Sequence, residues 1–342
     1  MCFYNHLILV RLPAWEDEVL KTSEEATTEG ELIATRPSPA PAAIVLALAT
    51  VYIVWGSTYL AMRIAVATLP PFLMAGTRFV VAGLIACGWV WARGATMPNR
   101  REVIDAFVVG ALMLVGGNGS VVWALQTVPS GLAALIVTTV PLWVALLDWL
   151  RPGGARPNAA TVVSLLLGVA GVAWLIVPKM HTDDGVPIEG CLFLVFSALS
   201  WTLGSLYARA RSQSRREPFL KTVALQMLAG GMLLLLCGVV RGEIGSLDPA
   251  KFSGKSVAAM AYLIVAGSLM SYTAYGWLLT VVRPTLVATY AFVNPVAAVL
   301  LGYALADEVL SRDVLLAGGA VVASVALMVL AQPRTSKTVE RS

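Results

Sequence analysis

Long, unbroken runs of apolar residues constrain this chain more than any other feature of its sequence. Each run is about 20 residues long, the length at which a helix that rises about 1.5 Å per residue crosses the roughly 30 Å hydrocarbon layer of a bilayer. Only 13% of the 342 residues are charged, against roughly 25% in an ordinary soluble domain. We therefore predict an integral membrane protein whose main partner is the lipid bilayer.

Ten of these runs are predicted to be transmembrane helices. They cover residues 42–62, 72–92, 104–126, 131–150, 159–177, 188–208, 219–240, 257–281, 285–306 and 314–331. Backbone polar groups in lipid must be satisfied within a helix or a closed barrel, and these runs lack the period-two alternation of barrel strands. The predicted fold class is therefore all-α.

Lysine and arginine are spread unevenly over the predicted loops. With the N-terminus inside, the cytoplasmic segments beyond the first 41 residues hold fourteen of them and the outer loops hold five. Short loops rich in these residues stay on the cytoplasmic side, so both termini are predicted inside. The net charge of +4 thus indicates orientation, and no nucleic-acid partner is expected.

Sequence motifs recur at offsets between 147 and 154 residues. Gly-Ser-x-Tyr at 56–59 returns at 204–207, Pro-Phe-Leu at 71–73 returns at 218–220, Trp123 and Pro141 return as Trp277 and Pro295, and Gly-x-Ala at 168–170 returns at 318–320. Each half holds five predicted spans, and an odd number inverts the second half relative to the first. Inverted repeats are typical of secondary transporters, whose substrate site lies near the midplane between the halves.

The predicted boundaries follow from this repeat. A flexible cytoplasmic tail covers residues 1–41, the first five-helix repeat 42–178, the second 187–331, and a cytoplasmic C-terminal tail 332–342.

Pro141 and Pro295 lie near the middle of the fourth and ninth predicted spans. Because proline has no N–H, the carbonyls of Val137 and Ala291 lose their usual helical partners. We interpret the pair as helix breaks that shape or gate a midplane site. A simple kink satisfied by a neighbouring helix is the alternative for each.

Eight polar or aromatic side chains on the predicted spans are candidate substrate ligands. Several pairs are four residues apart, which places them on one helix face, and an amide within a span must find a hydrogen-bond partner. The predicted site consists of Trp55, Tyr59, Asn118, Trp123, Trp201, Ser205, Tyr272 and Asn294. Helix packing is the alternative for the amides, and packing or an interfacial belt for the aromatic residues.

Arg63 and Arg78 are the basic residues predicted within spans, both toward the outer side. Charge in a span is costly unless it is paired or reaches the interface. Contact with an anionic substrate group is one interpretation, and snorkelling or a carbonyl partner is the other. No Asp or Glu lies in the middle of a predicted span, so a proton relay is not predicted.

The sequence argues against an enzyme. Its two histidines are His6 in the tail and His181 in a predicted loop, which excludes an H-E-x-x-H zinc site and a Ser–His pair within the membrane. There is no Gly-x-x-x-x-Gly-Lys-Ser/Thr loop for a nucleotide, and the four cysteines have no metal-ligand or disulfide spacing. No metal or cofactor is expected.

Several motifs resemble the drug/metabolite transporter superfamily, specifically its EamA branch, over about residues 44–331. They are Trp-Gly-Ser-Thr-Tyr at 55–59, Pro-Pro-Phe-Leu at 70–73 with Arg78, Gly-Leu-Ala-Ala-Leu-Ile at 131–136 before Pro141, and Asn294-Pro295 with the acidic turn at 307–308. The Arg-Pro-Gly-Gly run at 151–154 resembles inner-membrane exporters of amino acids or metabolites. The long tail and the lack of an acidic turn in the first half depart from the family pattern.

This resemblance implies ten helices around a central cavity lined by spans 1, 3, 4, 6, 8 and 9. Together with the repeat, it predicts a plasma-membrane secondary transporter that exports small metabolites by alternating access. Amino acids are the first candidate substrates. An anion or phosphorylated-sugar exchanger and a non-transporting scaffold or receptor are the alternatives. A homodimer is left open.

Overall fold

The described secondary structure is helical throughout. The computed structural model describes residues 40–150, 159–176, 187–213, 219–282, 287, 290–306 and 311–331. Over these residues every element is a helix, which confirms the all-α prediction for them. The chain divides into two compact units, Met1–Ala43 and Ile44–Ser342. The first is described at residues 40–43 alone.

Eleven helices lie within the described residues. They are α1 Pro41–Val66, α2 Pro71–Ala92, α3 Arg100–Ala124, α4 Ser130–Val137, α5 Val140–Leu150, α6 Ala159–Ile176, α7 Ile188–Gln213, α8 Phe219–Val240, α9 Gly254–Val281, α10 Tyr290–Ala306 and α11 Arg312–Ala331. Two short 3₁₀ turns, Glu243–Ser246 and Pro249–Lys251, connect α8 to α9.

Six of these helices, α1, α2, α3, α7, α8 and α9, are long and apolar enough to cross a membrane. Two shorter apolar stretches are Ser130–Val144 and Val293–Ala306. Large aliphatic side chains face outward, such as Leu46 and Ile53, each 70% exposed. An outward apolar surface on several long helices is the arrangement of a multi-pass membrane protein.

Local sequence explains where several helices begin. Pro71 occupies the first position of α2 after the extended Pro70, and proline suits that position because its missing N–H has no helical partner there anyway. At α3, the Asn99 side chain accepts from the Glu102 N–H while the Glu102 carboxylate accepts from the Asn99 N–H. This reciprocal cap satisfies two donors at the helix start.

Helices α2 and α8 pack closely and antiparallel through glycines. A Cβ placed on Gly76 would lie 2.7 Å from the Leu235 backbone nitrogen, and one on Gly83 would lie 2.8 Å from that of Leu228. Residue numbers rise along one helix as they fall along the other. Small residues allow such close backbone approach, which drives helix association where lipid removes the hydrophobic difference between neighbours.

Helices α3 and α9 each contain a π-helical stretch, at Gly110–Gly119 and Leu263–Tyr272. Each stretch is ten residues long, much longer than the single π turn that usually interrupts an α-helix. Such wide turns are frequent at functional sites. Both stretches supply residues to the cavity described next.

Candidate functional site

A cavity of about 70 Å³ lies among α1, α2, α3, α4, α7, α9 and α10. A single water needs about 10–15 Å³ of such space, so several waters or a small ligand fit. A cleft with apolar walls and a few polar groups is the usual form of a small-molecule site.

One face of α1 forms a wall of the cavity. Its residues are Trp55, Thr58, Tyr59 and Met62, and their spacing of three and four places them on a single helix stripe. Trp55 Nε1 donates to the carbonyl oxygen of Gly267 at 3.4 Å. This bond ties α1 to the π-helical stretch of α9.

Aromatic rings surround the α1 wall. The Trp55 ring lies edge-on to those of Trp201 and Tyr290, with centroid distances of 5.5 and 5.4 Å. Trp201 also packs on Tyr272 at 6.3 Å. Edge-to-face packing at these distances stabilises a fixed arrangement of rings, so this wall is preorganised.

Arg78 of α2 brings a positive charge to the cavity. Its side chain lines the cavity and is only 3% exposed. Nε donates to the Ser268 hydroxyl at 2.8 Å, and the guanidinium lies 4.6 Å from the centroid of the Phe79 ring. Nη1 is buried and has no hydrogen-bond partner within the described part of the chain.

Asn118 lies in the π-helical stretch of α3 and also lines the cavity. Its amide nitrogen faces the sulfur of Met62 at 3.7 Å, and its buried oxygen Oδ1 has no partner among the described residues. The backbone beside it is held by Ser197, whose hydroxyl donates to the Gly117 carbonyl at 2.8 Å.

Asn294 of α10 is 5% exposed and lines the cavity. With the amide oriented by its hydrogen-bond neighbours, its nitrogen donates to the carbonyl oxygens of Tyr52 at 3.2 Å and Tyr290 at 3.3 Å. Asn294 therefore joins α1 to α10 next to Pro295.

The two prolines differ in their effect. The predicted span 131–150 is interrupted at residues 138–139, between α4 and α5, and Pro141 is the second residue of α5. Val137, whose carbonyl loses the N–H that proline lacks, lines the cavity. At Pro295, in contrast, α10 continues as a helix. A helix break is thus seen before Pro141 and not at Pro295.

Six of the eight predicted ligands line the cavity: Trp55, Tyr59, Asn118, Trp201, Tyr272 and Asn294. Two lie outside its lining. The Trp123 ring stacks on Phe72 at 5.9 Å and receives the Arg241 guanidinium at 4.2 Å. The Ser205 hydroxyl donates to the Trp201 carbonyl at 2.8 Å and is 3.0 Å from the Tyr275 hydroxyl.

Sequence reasoning placed no candidate at Thr58, Met62, Phe79, Val121 or Ser197, all of which line the cavity. Helical spacing was the available signal for three of them. Thr58 and Met62 share a face with Trp55 and Tyr59, and Ser197 lies one turn before Trp201. Phe79 and Val121 are apolar, and nothing in the sequence separates them from other packing residues.

Arg63 lies elsewhere than Arg78. Its Nη1 donates to the Val128 carbonyl at 2.8 Å, and it is not among the residues that line the cavity. No Asp or Glu lines the cavity within the described ranges. Among the same residues, no group of three or more His, Cys, Asp or Glu side chains has metal-binding geometry.

A sequence model of the EamA-like transporter family matches the chain twice, at residues 42–177 and 188–330. The uncharacterized inner membrane transporter YedA of Escherichia coli (strain K12) is 38% identical over 285 residues, which are 83% of this chain and 90% of that protein. The uncharacterized transporter YvbV of Bacillus subtilis (strain 168) is 27% identical over 289 residues, 83% of this chain and 90% of that protein.

One solved crystal structure aligns with 85% of this chain and 98% of its own chain, with a TM-score of 0.60 and 21% sequence identity. At that identity the likeness concerns the fold alone. The matched family and the names of the relatives point to a membrane transporter and not to an enzyme.

Proposed function

Because this chain belongs to the EamA-like transporter family, we propose that it is a secondary transporter that exports small metabolites by alternating access. Amino acids are the first candidate substrates. The cavity is the substrate site of this proposal. It is lined from both segments that the family model matches, with Trp55, Arg78 and Asn118 from the first and Trp201 and Asn294 from the second. A ligand held between two halves is released when they move relative to each other.

We further propose ten transmembrane helices in two inverted five-helix repeats. The two family matches support this arrangement. The antiparallel contacts of α2 and α8 are those expected of equivalent helices related by an axis in the membrane plane. The π-helical stretches add independent support, because Gly110–Gly119 and Leu263–Tyr272 are separated by nearly the offset that relates Trp123 to Trp277.

Contacts at the two ends of the bundle support the proposed topology. Glu102 at the start of α3 is 2.9 Å from Lys221 at the start of α8, so these two helix starts share a side. Glu243, beyond the far end of α8, accepts from the Phe72 and Leu73 N–H groups at the start of α2. We assign the Glu102 side to the cytoplasm, where lysine and arginine are concentrated.

This orientation is tested by labelling single cysteines in a cysteine-free background. A cysteine at Arg101 or Arg211 should react with an impermeant reagent from the cytoplasmic side alone. The matched control is a cysteine at Lys251, which is expected to react from outside. The reverse pattern would overturn the assignment.

Transport itself is tested with purified protein in proteoliposomes by counterflow of labelled amino acids, sugars and organic anions. Val137→Phe places a bulky ring at the cavity wall and should abolish counterflow. Val162→Phe is the matched control, because Val162 of α6 is 41% exposed and does not line the cavity. Counterflow that survives Val137→Phe would remove the cavity from the transport path.

An anion or phosphorylated-metabolite exchanger is the second candidate, and the buried guanidinium of Arg78 at the cavity is the observation that favours it. Exchange of organic phosphates in preference to amino acids in the same assay would select it. Absence of any counterflow by folded protein would favour a scaffold or receptor instead.

A further inference from the structure

We propose that the Arg78 guanidinium binds the carboxylate of the substrate and that the Asn118 amide oxygen accepts from its ammonium group. The ligand is then a small zwitterion of the α-amino-acid type. This inference rests on the proposed function and names the polar subsites of the same cavity.

The first observation is the incomplete bonding of Arg78. A guanidinium carries five N–H donors and no acceptor. Of these, Nε is used by Ser268, while the buried Nη1 has no partner among the described residues. A buried charge with an unused donor is costly to keep, and an arginine within a span is by default a candidate for function.

The second observation is the charge of the cavity. Arg78 is the one ionised side chain among the described residues that line it, since no carboxylate and no second Lys or Arg is present there. One carboxylate neutralises the Arg78 charge, and the ammonium of a zwitterion is then the one net charge in the cavity, which the Asn118 oxygen and the aromatic rings must hold. A phosphate monoester carries about −1.5 to −2 at pH 7 and would leave a buried negative excess, so the charge balance favours a carboxylate over a phosphate.

The third observation is the orphan acceptor on Asn118. Its oxygen Oδ1 is buried without a donor, and an amide oxygen takes up to two hydrogen bonds. A ligand ammonium supplies them. Trp55, Tyr59 and Trp201 line the same cavity, and the faces of aromatic rings attract cations. The cavity lining thus includes one group that suits a negative ligand group and one that suits a positive ligand group.

Packing around Arg78 holds the guanidinium in position. A Cβ on Gly267 would lie 3.0 Å from Arg78 Nη2 and 3.2 Å from the Thr58 methyl carbon. A larger residue at Gly267 would therefore push the guanidinium away while keeping its charge. This gives a second variant that is independent of removing Arg78.

The repeat gives a conservative replacement for Arg78. The offset that relates Pro71 to Pro218 relates Arg78 to Leu225, so a leucine occupies the corresponding place in the second half. Arg78→Leu is therefore a substitution that this helix type accommodates. Arg63→Leu is the matched control. Arg63 lies within α1, so it is a second arginine within a helix, but it does not line the cavity.

The experiment measures ligand-induced melting shifts and counterflow for the twenty amino acids. The strongest binder is then compared with its decarboxylated amine and its deaminated acid. For alanine these are ethylamine and propionate. Each analogue should bind at least about tenfold more weakly than the amino acid, as expected when a charged hydrogen bond is lost.

Arg78→Leu should lower affinity for the amino acid and the acid by about ten- to a hundredfold, with no loss of affinity for the amine. Gly267→Ala should lower affinity for the same two ligands, and Arg63→Leu should leave affinity unchanged for all three. Asn118→Ala should weaken the amino acid and the amine but not the acid.

Failures of the two proposals are distinguishable. If amino acids are transported but Arg78→Leu and Gly267→Ala bind them as the wild type does, the subsite assignment is wrong and the transport function stands. If the amine or a phosphate ester binds best, the substrate class is wrong. If folded protein transports nothing in the panel, the proposed function fails first.

Discussion

Two buried cations, Lys221 and Arg78, are treated differently by this fold. Both side chains belong to residues that are 3% exposed. Lys221 Nζ lies 2.9 Å from a carboxylate oxygen of Glu102 and donates to the Thr96 hydroxyl at 3.2 Å. Arg78 has the Ser268 hydroxyl and the Phe79 ring, with no carboxylate within salt-bridge distance among the described residues.

In our proposal, the difference separates an ion pair that stabilises the fold from a cation that binds a ligand. At Lys221 the opposite charge is built into the chain, at the point where α3 and α8 begin on the same side. At Arg78 the protein supplies hydrogen-bonding and packing but no neutralising group. Removing one partner of a buried ion pair strongly destabilises a protein. Replacing a lone buried cation with an apolar side chain should cost the protein little stability.

The largest expected effect comes from breaking the ion pair. Lys221→Met leaves the Glu102 carboxylate buried without its lysine, which should lower the free energy of unfolding by about 3–5 kcal/mol. Thermal or denaturant unfolding in detergent measures this. Arg78→Leu should change stability less, since the lost Ser268 bond, worth about 1.5–3 kcal/mol for a charged donor, is offset by removing an unneutralised charge.

The control is the double variant Glu102→Gln with Lys221→Met. Glutamine keeps the cap on the Asn99 N–H and removes the charge, so most of the lost stability should return. If Lys221→Met and Arg78→Leu destabilise the protein equally, the distinction between the two cations is wrong.

The same contrast applies to the two cavity amides, with a smaller effect. The Asn294 nitrogen donates to the carbonyls of Tyr52 and Tyr290, whereas the Asn118 oxygen has no partner in the described residues. Asn294→Ala should therefore cost about 0.5–1.5 kcal/mol of unfolding free energy, because its hydrogen bonds to the Tyr52 and Tyr290 carbonyls are lost. Asn118→Ala should leave the melting temperature nearly unchanged and lower ligand affinity.

Paired melting and binding curves measure this difference. If Asn294→Ala instead lowers affinity while stability stays at the wild-type value, Asn294 is a direct ligand, as its place in the sequence first indicated. Gln126→Ala is a suitable control, because that amide is exposed and bonds a carbonyl of its own helix region.

The sequence was sufficient for the fold class and the family. Unbroken apolar runs predict helices because lipid leaves the backbone few alternatives, and the motifs around Trp55 and Asn294 identified the EamA branch that the family model confirms. Six of the residues that line the cavity were predicted from the sequence, and helical spacing would have added Thr58, Met62 and Ser197.

The remaining features depend on how helices rotate and pack, which apolar composition does not specify. Trp123 and Ser205 have the residue types of a ligand site, but tertiary packing directs them to Phe72 and Arg241, and to Tyr275. The π-helical stretches widen the turns that carry Asn118 and Tyr272, and the periodicity of the sequence does not predict them. The different treatment of Arg63 and Arg78 likewise follows from packing, because both look alike in sequence.

The smallest expected effect concerns protons. Coupling to a proton gradient needs a group that titrates in the substrate path, and membrane transporters use Asp, Glu or His for this role. Within the described residues the cavity is lined by none of these, and Arg78 stays protonated because guanidinium is not deprotonated in proteins. The Glu102 carboxylate, at the start of α3, does not line the cavity and lies 2.9 Å from Lys221 Nζ. A proton gradient alone should therefore drive little accumulation in proteoliposomes, while counterflow against unlabelled substrate should be strong.

The measurement is uptake with an imposed pH difference, before and after a protonophore, with membrane potential clamped by potassium and valinomycin. Protonophore-sensitive accumulation would contradict this prediction and would mean that a titrating group outside the cavity lining is coupled to transport.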